Sequence, residues 1–66
     1  MPKQHEVFAA LCEARARLWQ AGEFDLHEAV DFLQRWAVRN KLVRAYGQDA
    51  VQAIMARAFA EVRDDL

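Results

Sequence analysis

His27, Glu28 and Asp31 are the residues whose types and spacing come nearest to a catalytic motif. A zinc-binding helix of the His-Glu-x-x-His kind needs imidazoles at positions i and i+4, because both rings must face one metal ion. Here the i+4 position is Asp31, and the other histidine is the distant His5. Acidic residues also suit the first turn of a helix, where they complement the helix dipole. The spacing favours a structural role, so we expect no metal or other cofactor.

Cys12 is the single cysteine of the chain. A catalytic thiol needs a nearby base that converts it to thiolate. His5 precedes it by seven residues, which is about 10 Å along a helix. An isolated cysteine more often behaves as a small apolar core residue. No nucleophile–base set is visible, so we expect neither an enzyme nor a small-molecule substrate.

Arg15 falls between Leu11 and Phe8 on the apolar arc of the first predicted helix. A charge in that position must be paired, or must reach solvent along its aliphatic stem. Glu28 or Asp31 on the second predicted helix are candidate partners. The alternative is that Arg15 reaches across an interface to an acidic partner.

Charge is segregated along the second predicted helix. Residues 23–31 contain four acidic residues and no lysine or arginine, whereas residues 35–44 contain four lysine or arginine residues and no acidic one. This order suits the helix dipole. Basic side chains among aromatic ones, here Trp36 and Tyr46, can also bind phosphate. The candidate nucleic-acid contacts are Arg35, Arg39, Lys41 and Arg44.

The elements that position these residues are helices. Apolar residues recur at helical spacing, and no stretch alternates with the period of a strand. We predict helices at about residues 3–20, 26–39 and 49–63, with a short helical turn near 42–46 that could also be the end of the second helix. The fold class is all-α, a small three-helix bundle that forms one domain over residues 1–66.

Helix boundaries are predicted from capping residues. Gly22 fits the stop of the first helix, because glycine adopts positive φ at little cost. Asp25 with Glu28 three residues later is typical of a capping box. Asn40 tolerates the left-handed region and should end the second helix. Asp49 is predicted to start the third helix.

Each long helix has a predicted core face. The arc of the first helix comprises Val7, Phe8, Leu11, Cys12, Ala14, Leu18 and Trp19. The stripe of the third comprises Val51, Ile54, Met55, Ala58, Phe59 and Val62. Trp19, Phe32 and Trp36 lie at the edges of their arcs, and exposed aromatic residues mark partner sites.

Composition narrows the class of protein. Hydrophobic residues make up 55% and charged residues 29% of the chain, which is globular composition. The net charge of −1 provides no overall basic field that would attract nucleic acid or a membrane. No apolar stretch approaches the roughly 20 residues of a membrane span. Without an export signal, and with one thiol, we expect a cytoplasmic protein.

The small size indicates how the chain is stabilised. A domain of 66 residues has a small core. The single cysteine excludes an internal disulfide. Association with a second copy or with a partner protein is the remaining source of additional stability. We therefore predict a protein–protein interaction module of adaptor, inhibitor or antiactivator type that self-associates. Its predicted contacts are Arg15, Trp19, Phe32, Trp36 and Arg39. The alternative is a nucleic-acid-binding regulator that uses the basic end of the second helix.

Overall fold

Helices account for most of the described part of the chain. The computed structural model describes residues 3–64, and residues 1–2 and 65–66 of the predicted domain lie outside this range. Over residues 3–64 there is no strand and there are four helices, α1 (Gln4–Gln20), α2 (Leu26–Arg39), α3 (Leu42–Tyr46) and α4 (Gln48–Asp64). The predicted all-α bundle is confirmed. The segment near 42–46 is a separate five-residue helix rather than the end of α2.

The core lies where α1, α2 and α4 meet. Its largest fully buried side chains are Phe8 and Cys12 on α1, Leu33 on α2, and Val51 and Val62 on α4. The buried core also includes Ala16, Ala29, Ala37, Leu42, Met55, Ala58 and Phe59. Many of these side chains are small, so the helices approach closely but bury little apolar area for each residue.

The apolar arc predicted for α1 is partly wrong. The helix buries Phe8, Cys12 and Ala16, which follow one another at a spacing of four residues. Val7 and Leu18 are exposed. The helix is rotated toward its small residues, because Cys12 and Ala16 allow two neighbouring helices to pack against α1 at once.

Local capping at the α1–α2 connection agrees with the sequence prediction. Gly22 has φ of +84°, and its N–H donates to the carbonyl of Trp19 at 3.0 Å. The N–H of Glu23 donates to the carbonyl of Leu18 at 2.9 Å, which completes a Schellman motif. The Asp25 carboxylate accepts from the backbone N–H of Glu28 at 2.8 Å and caps α2. The reciprocal bond of the predicted capping box, from the Asp25 N–H to the Glu28 side chain, is not formed in the described residues.

The end of α2 differs from the prediction by one residue. Asn40 has φ of −93°, and its side-chain Nδ2 donates to the carbonyl of Trp36 at 2.9 Å. The left-handed residue is Lys41, with φ of +64°. The Trp36 carbonyl already accepts from the backbone N–H of Asn40 at 3.0 Å, so the side-chain amide adds a second hydrogen bond to the same oxygen, and the chain reverses at the next residue.

The start of α4 also differs from the prediction. The carbonyl of Gly47 accepts from the N–H of Val51 at 3.2 Å, so the helix begins at Gln48 rather than at Asp49. Gly47 also donates its own N–H to the carbonyl of Val43 at 2.9 Å, which closes α3. Its φ of +91° is accessible to glycine, and this residue therefore separates the two helices.

Candidate functional site

Arg15 is held between two aromatic rings. Its guanidinium carbon lies 3.8 Å from the ring centre of Phe32 and 5.0 Å from that of Phe24. The side chain is half-buried, and both contacts lie within the range of a cation–π interaction. The carboxylate partner anticipated from the sequence is replaced by these rings, because Asp31 binds Arg35 at 2.9 Å instead.

Phe32 belongs to a surface pocket on α2. Four side chains at positions i, i+3, i+4 and i+7 line this pocket of about 150 Å³, namely Phe32, Arg35, Trp36 and Arg39. We call these four residues together with Arg15 the arginine–aromatic site. Three of them had been predicted as partner contacts on α2, and two as phosphate contacts. The two predicted sets therefore share one face of one helix.

Packing across the core fixes the position of Trp36. Its ring stacks on that of Phe8 with the centroids 5.6 Å apart and an interplanar angle of 13°. Its carbonyl accepts from the Asn40 side chain. Trp36 is thus half-buried and held in place, whereas the Phe32 side chain is exposed, with 37% of its surface accessible.

The electrostatic character of the site is basic. It contains the guanidinium groups of Arg15, Arg35 and Arg39. Asp31 balances Arg35, but this ion pair is exposed and contributes little to stability. Among residues 3–64 the structure gives Arg39 no carboxylate partner.

Trp19 lies apart from the arginine–aromatic site. Its ring centre is 5.3 Å from that of Phe59 on α4, and the side chain packs against the core. The structure shows no ring contact of Trp19 with Phe32 or Trp36. Trp19 therefore lies at the α1–α4 contact, whereas the other two predicted aromatic anchors, Phe32 and Trp36, line the same pocket.

The predicted basic cluster divides into two parts. Arg35 and Arg39 line the pocket, whereas Lys41 is the left-handed residue of the α2–α3 connection and Arg44 lies on α3. Tyr46 is half exposed, and its ring meets His5 edge-on with the centroids 5.6 Å apart. The aromatic ring expected beside the phosphate contacts is thus engaged with α1.

Cys12 and His27, two of the sequence candidates for chemistry, lie in different surroundings. Cys12 is fully buried, and burial raises the pKa of its thiol to about 12, so thiolate does not form near neutral pH. His27 is exposed at the start of α2. Within the described residues there is no group of three or more His, Cys, Asp or Glu side chains that could hold a metal ion.

Two further grooves were not anticipated from the sequence. One of about 270 Å³ runs between α2 and α4 and includes Leu26, Val30 and Met55. The other, of about 400 Å³, runs between α1 and α4 and includes Ala9 and Ile54. Exposed alanines line both grooves, with Ala56 and Ala60 of α4 in the first and Ala9 and Ala10 of α1 in the second.

Comparison of the chain with protein-family models, with curated proteins and with solved structures finds no match in any of the three. Across residues 3–64, none of the helices has the length and apolar character that crossing a membrane requires.

Proposed function

We propose that this chain is a small helical protein–protein interaction module, of adaptor, inhibitor or antiactivator type, that self-associates. The arginine–aromatic site is its contact surface. One observation carries the proposal: the exposed Phe32 ring is held by the Arg15 guanidinium at 3.8 Å, next to Trp36. Aromatic residues and arginine are the types that dominate the energetic centres of protein interfaces.

Apolar residues on the surface support this proposal. Beyond Phe32, the exposed large apolar side chains are Val7, Leu18, Leu26, Val38 and Tyr46. The core is built largely from small side chains, and a domain of this size gains only about 3–5 kcal/mol from such a core. Burial of further apolar surface against a partner would add to that stability.

The proposed role is regulatory and non-enzymatic. The buried thiol of Cys12 is held in its protonated form, so it supplies no nucleophile. A reducing compartment such as the cytoplasm is the proposed setting, since the cysteine is free.

Native mass measured by light scattering over a concentration series tests the proposal. We expect the measured mass to rise from the 7.6 kDa of one chain toward twice that value as the concentration increases. Phe32→Ala should raise the chain concentration at which half of the protein is associated by about tenfold or more, because truncation of a central interface aromatic loses the most binding free energy. Val38→Ala is the matched control, since it shortens an exposed apolar side chain on another face of α2. A wild-type chain that remains monomeric, or equal shifts in both variants, would contradict the proposal.

Nucleic-acid binding is the second candidate function. The exposure of Arg39, Lys41 and Arg44 favours it, and within residues 3–64 none of the three has a carboxylate partner. Binding to duplex DNA would then weaken with salt. The loss of one phosphate contact in Arg44→Gln should reduce the slope of log binding constant against log salt concentration by about 0.9. Fluorescence anisotropy of a labelled duplex measures this. Absence of salt-sensitive binding at low ionic strength would eliminate the candidate.

A further inference from the structure

One exposed face of α2 carries an ordered series of charges. Glu28, Phe32, Arg35 and Arg39 follow one another at spacings of four, three and four residues, which places them in one stripe along the helix. All four are exposed. The stripe is acidic at its N-terminal end, aromatic near its centre and basic at its C-terminal end.

The stripe is complementary to a copy of itself in antiparallel orientation. Glu28 and Arg39 lie at equal distances on either side of the point between Leu33 and Gln34, about 8 Å along the axis. Phe32 and Arg35 lie at equal distances from the same point, about 2 Å along the axis. A two-fold axis through that point therefore brings acid opposite base at both ends and ring opposite guanidinium at the centre.

We infer that α2 packs antiparallel against α2 of a second copy of this chain, with Glu28 of each copy paired to Arg39 of the other around the two Phe32 rings. This inference rests on the proposed function and specifies its geometry. Within the described residues neither Glu28 nor Arg39 has an ion-pair partner, so both charges are available. Asp31 neutralises Arg35 within each copy, which limits charge repulsion at the centre.

The same geometry disfavours nucleic acid as the occupant of this face. Base stacking needs open aromatic faces. Arg15 covers one face of the Phe32 ring and Phe8 covers one face of Trp36, so each ring has at most one face left for a base. The Glu28 carboxylate at the other end of the stripe would also repel a phosphate backbone. A second copy satisfies both ends of the stripe.

Charge reversal at the two ends tests the inference in the full chain. Glu28→Arg and Arg39→Glu each place like charges opposite one another twice per dimer, and each should raise the dimer dissociation constant by about tenfold or more. The double variant restores opposite charges and should return the constant to within about threefold of wild type. Sedimentation equilibrium measures these constants, and high salt should reduce all of the differences.

The matched control is the pair His27→Arg and Val38→Glu. These changes oppose the helix dipole at the same two ends of α2, but they lie about 100° around the helix from the stripe. We expect them to leave the dissociation constant unchanged. Circular dichroism establishes that each variant is folded before its mass is interpreted.

Disulfide trapping gives a second test that does not depend on charge. In a Cys12→Ala background, an oxidised mixture of Glu28→Cys and Arg39→Cys chains should give the mixed 28–39 disulfide, because antiparallel packing places these positions opposite each other. Equal or preferred 28–28 and 39–39 products would overturn the inference.

The outcomes separate the inference from the proposed function. If Phe32→Ala dissociates the chain but charge reversal has no effect, the interaction module remains and the antiparallel pairing is wrong. If the wild-type chain is monomeric at every concentration, both are wrong. If Arg39→Glu abolishes binding to duplex DNA at unchanged mass, nucleic acid occupies the face and the inference is likewise wrong.

Discussion

The guanidinium of Arg15 lies 3.8 Å from the ring centre of Phe32, and this contact joins α1 to α2 at the surface of the bundle. The half-buried guanidinium is paired with the face of this ring, which provides a negative electrostatic surface. Phe24 lies on the connection that precedes α2 and approaches the same guanidinium at 5.0 Å. A single side chain thus links three segments of the chain next to the candidate site.

Replacing Arg15 should weaken the fold through this contact. We expect Arg15→Ala to lower the free energy of unfolding by about 1–2 kcal/mol, since it removes both the cation–π contact and packing of the aliphatic stem. A double-mutant cycle with Phe32→Leu, measured by urea unfolding, should give a coupling of about 0.5–1 kcal/mol. Arg57→Ala serves as a control, because its ion pair with Glu61 is exposed and should contribute less. Zero coupling would show that the arrangement adds no stability.

Local features of the fold could be predicted from the sequence because they depend on neighbouring residues. Gly22 and Asp25 act within one turn of the backbone, and both occupy the predicted capping positions. The sequence predicts the end of α2 near Asn40, because asparagine tolerates the left-handed region. Asn40 instead has a negative φ and donates its side-chain amide to the Trp36 carbonyl, and the positive φ falls on Lys41.

Tertiary features were less predictable. The rotation of α1 depends on which side chains allow α2 and α4 to pack against it together, and Ala16 does so although its hydrophobicity is small. The position of Arg15 on the inner arc could be read from spacing. Its partner could not, because Phe24 and Phe32 meet it only after the connection between α1 and α2 has folded back.

Lys41 is a position where glycine should stabilise the fold. A residue with a side chain costs about 1–2 kcal/mol in the left-handed region, and glycine avoids this cost. Glycine also makes the unfolded chain more flexible, which offsets part of the gain. Lys41→Gly should therefore raise the free energy of unfolding by about 0.5–1 kcal/mol, measured as a higher urea midpoint at unchanged slope. Asn40→Gly is the control. It should lower the midpoint, since it removes the side-chain hydrogen bond to Trp36 without relieving a positive φ.

Burial of Cys12 predicts a loss of stability at high pH. The ordinary pKa of 9.0 is raised to about 12 in the fold because the thiolate is desolvated. The stabilisation linked to this group is complete below pH 9, and it declines as the pH rises toward 12. Urea unfolding at pH 7 and pH 10.5 should show a larger decline for wild type than for Cys12→Ala. Equal declines would mean that other groups account for the pH dependence.

Asp25 predicts the opposite dependence at acid pH. The backbone N–H of Glu28 donates to its carboxylate and lowers the pKa of this group below the ordinary value of 3.8. The stabilisation from the charged cap is therefore present above pH 4 and is lost as the pH falls through the lowered pKa. Thermal unfolding of wild type and Asp25→Asn should differ at pH 7, with wild type more stable, and should converge near pH 2. Asparagine retains the cap but not the charge, so the difference isolates the ionised form.

Phe8 connects the core to the candidate site, because its ring is fully buried and stacks on Trp36. Phe8→Ala should cost about 3–5 kcal/mol, which matches the whole stability expected of a domain this small, so this chain should be unfolded by circular dichroism. Phe8→Leu retains most of the volume and should fold, but it removes the aromatic face that orients Trp36. In a Trp19→Phe background the fluorescence of Trp36 then reports on its surroundings alone, and we expect a red-shifted emission together with weaker self-association. If Phe8→Leu weakened the fold but left both emission and association unchanged, the stacked pair would be a stabilising contact without influence on the arginine–aromatic site.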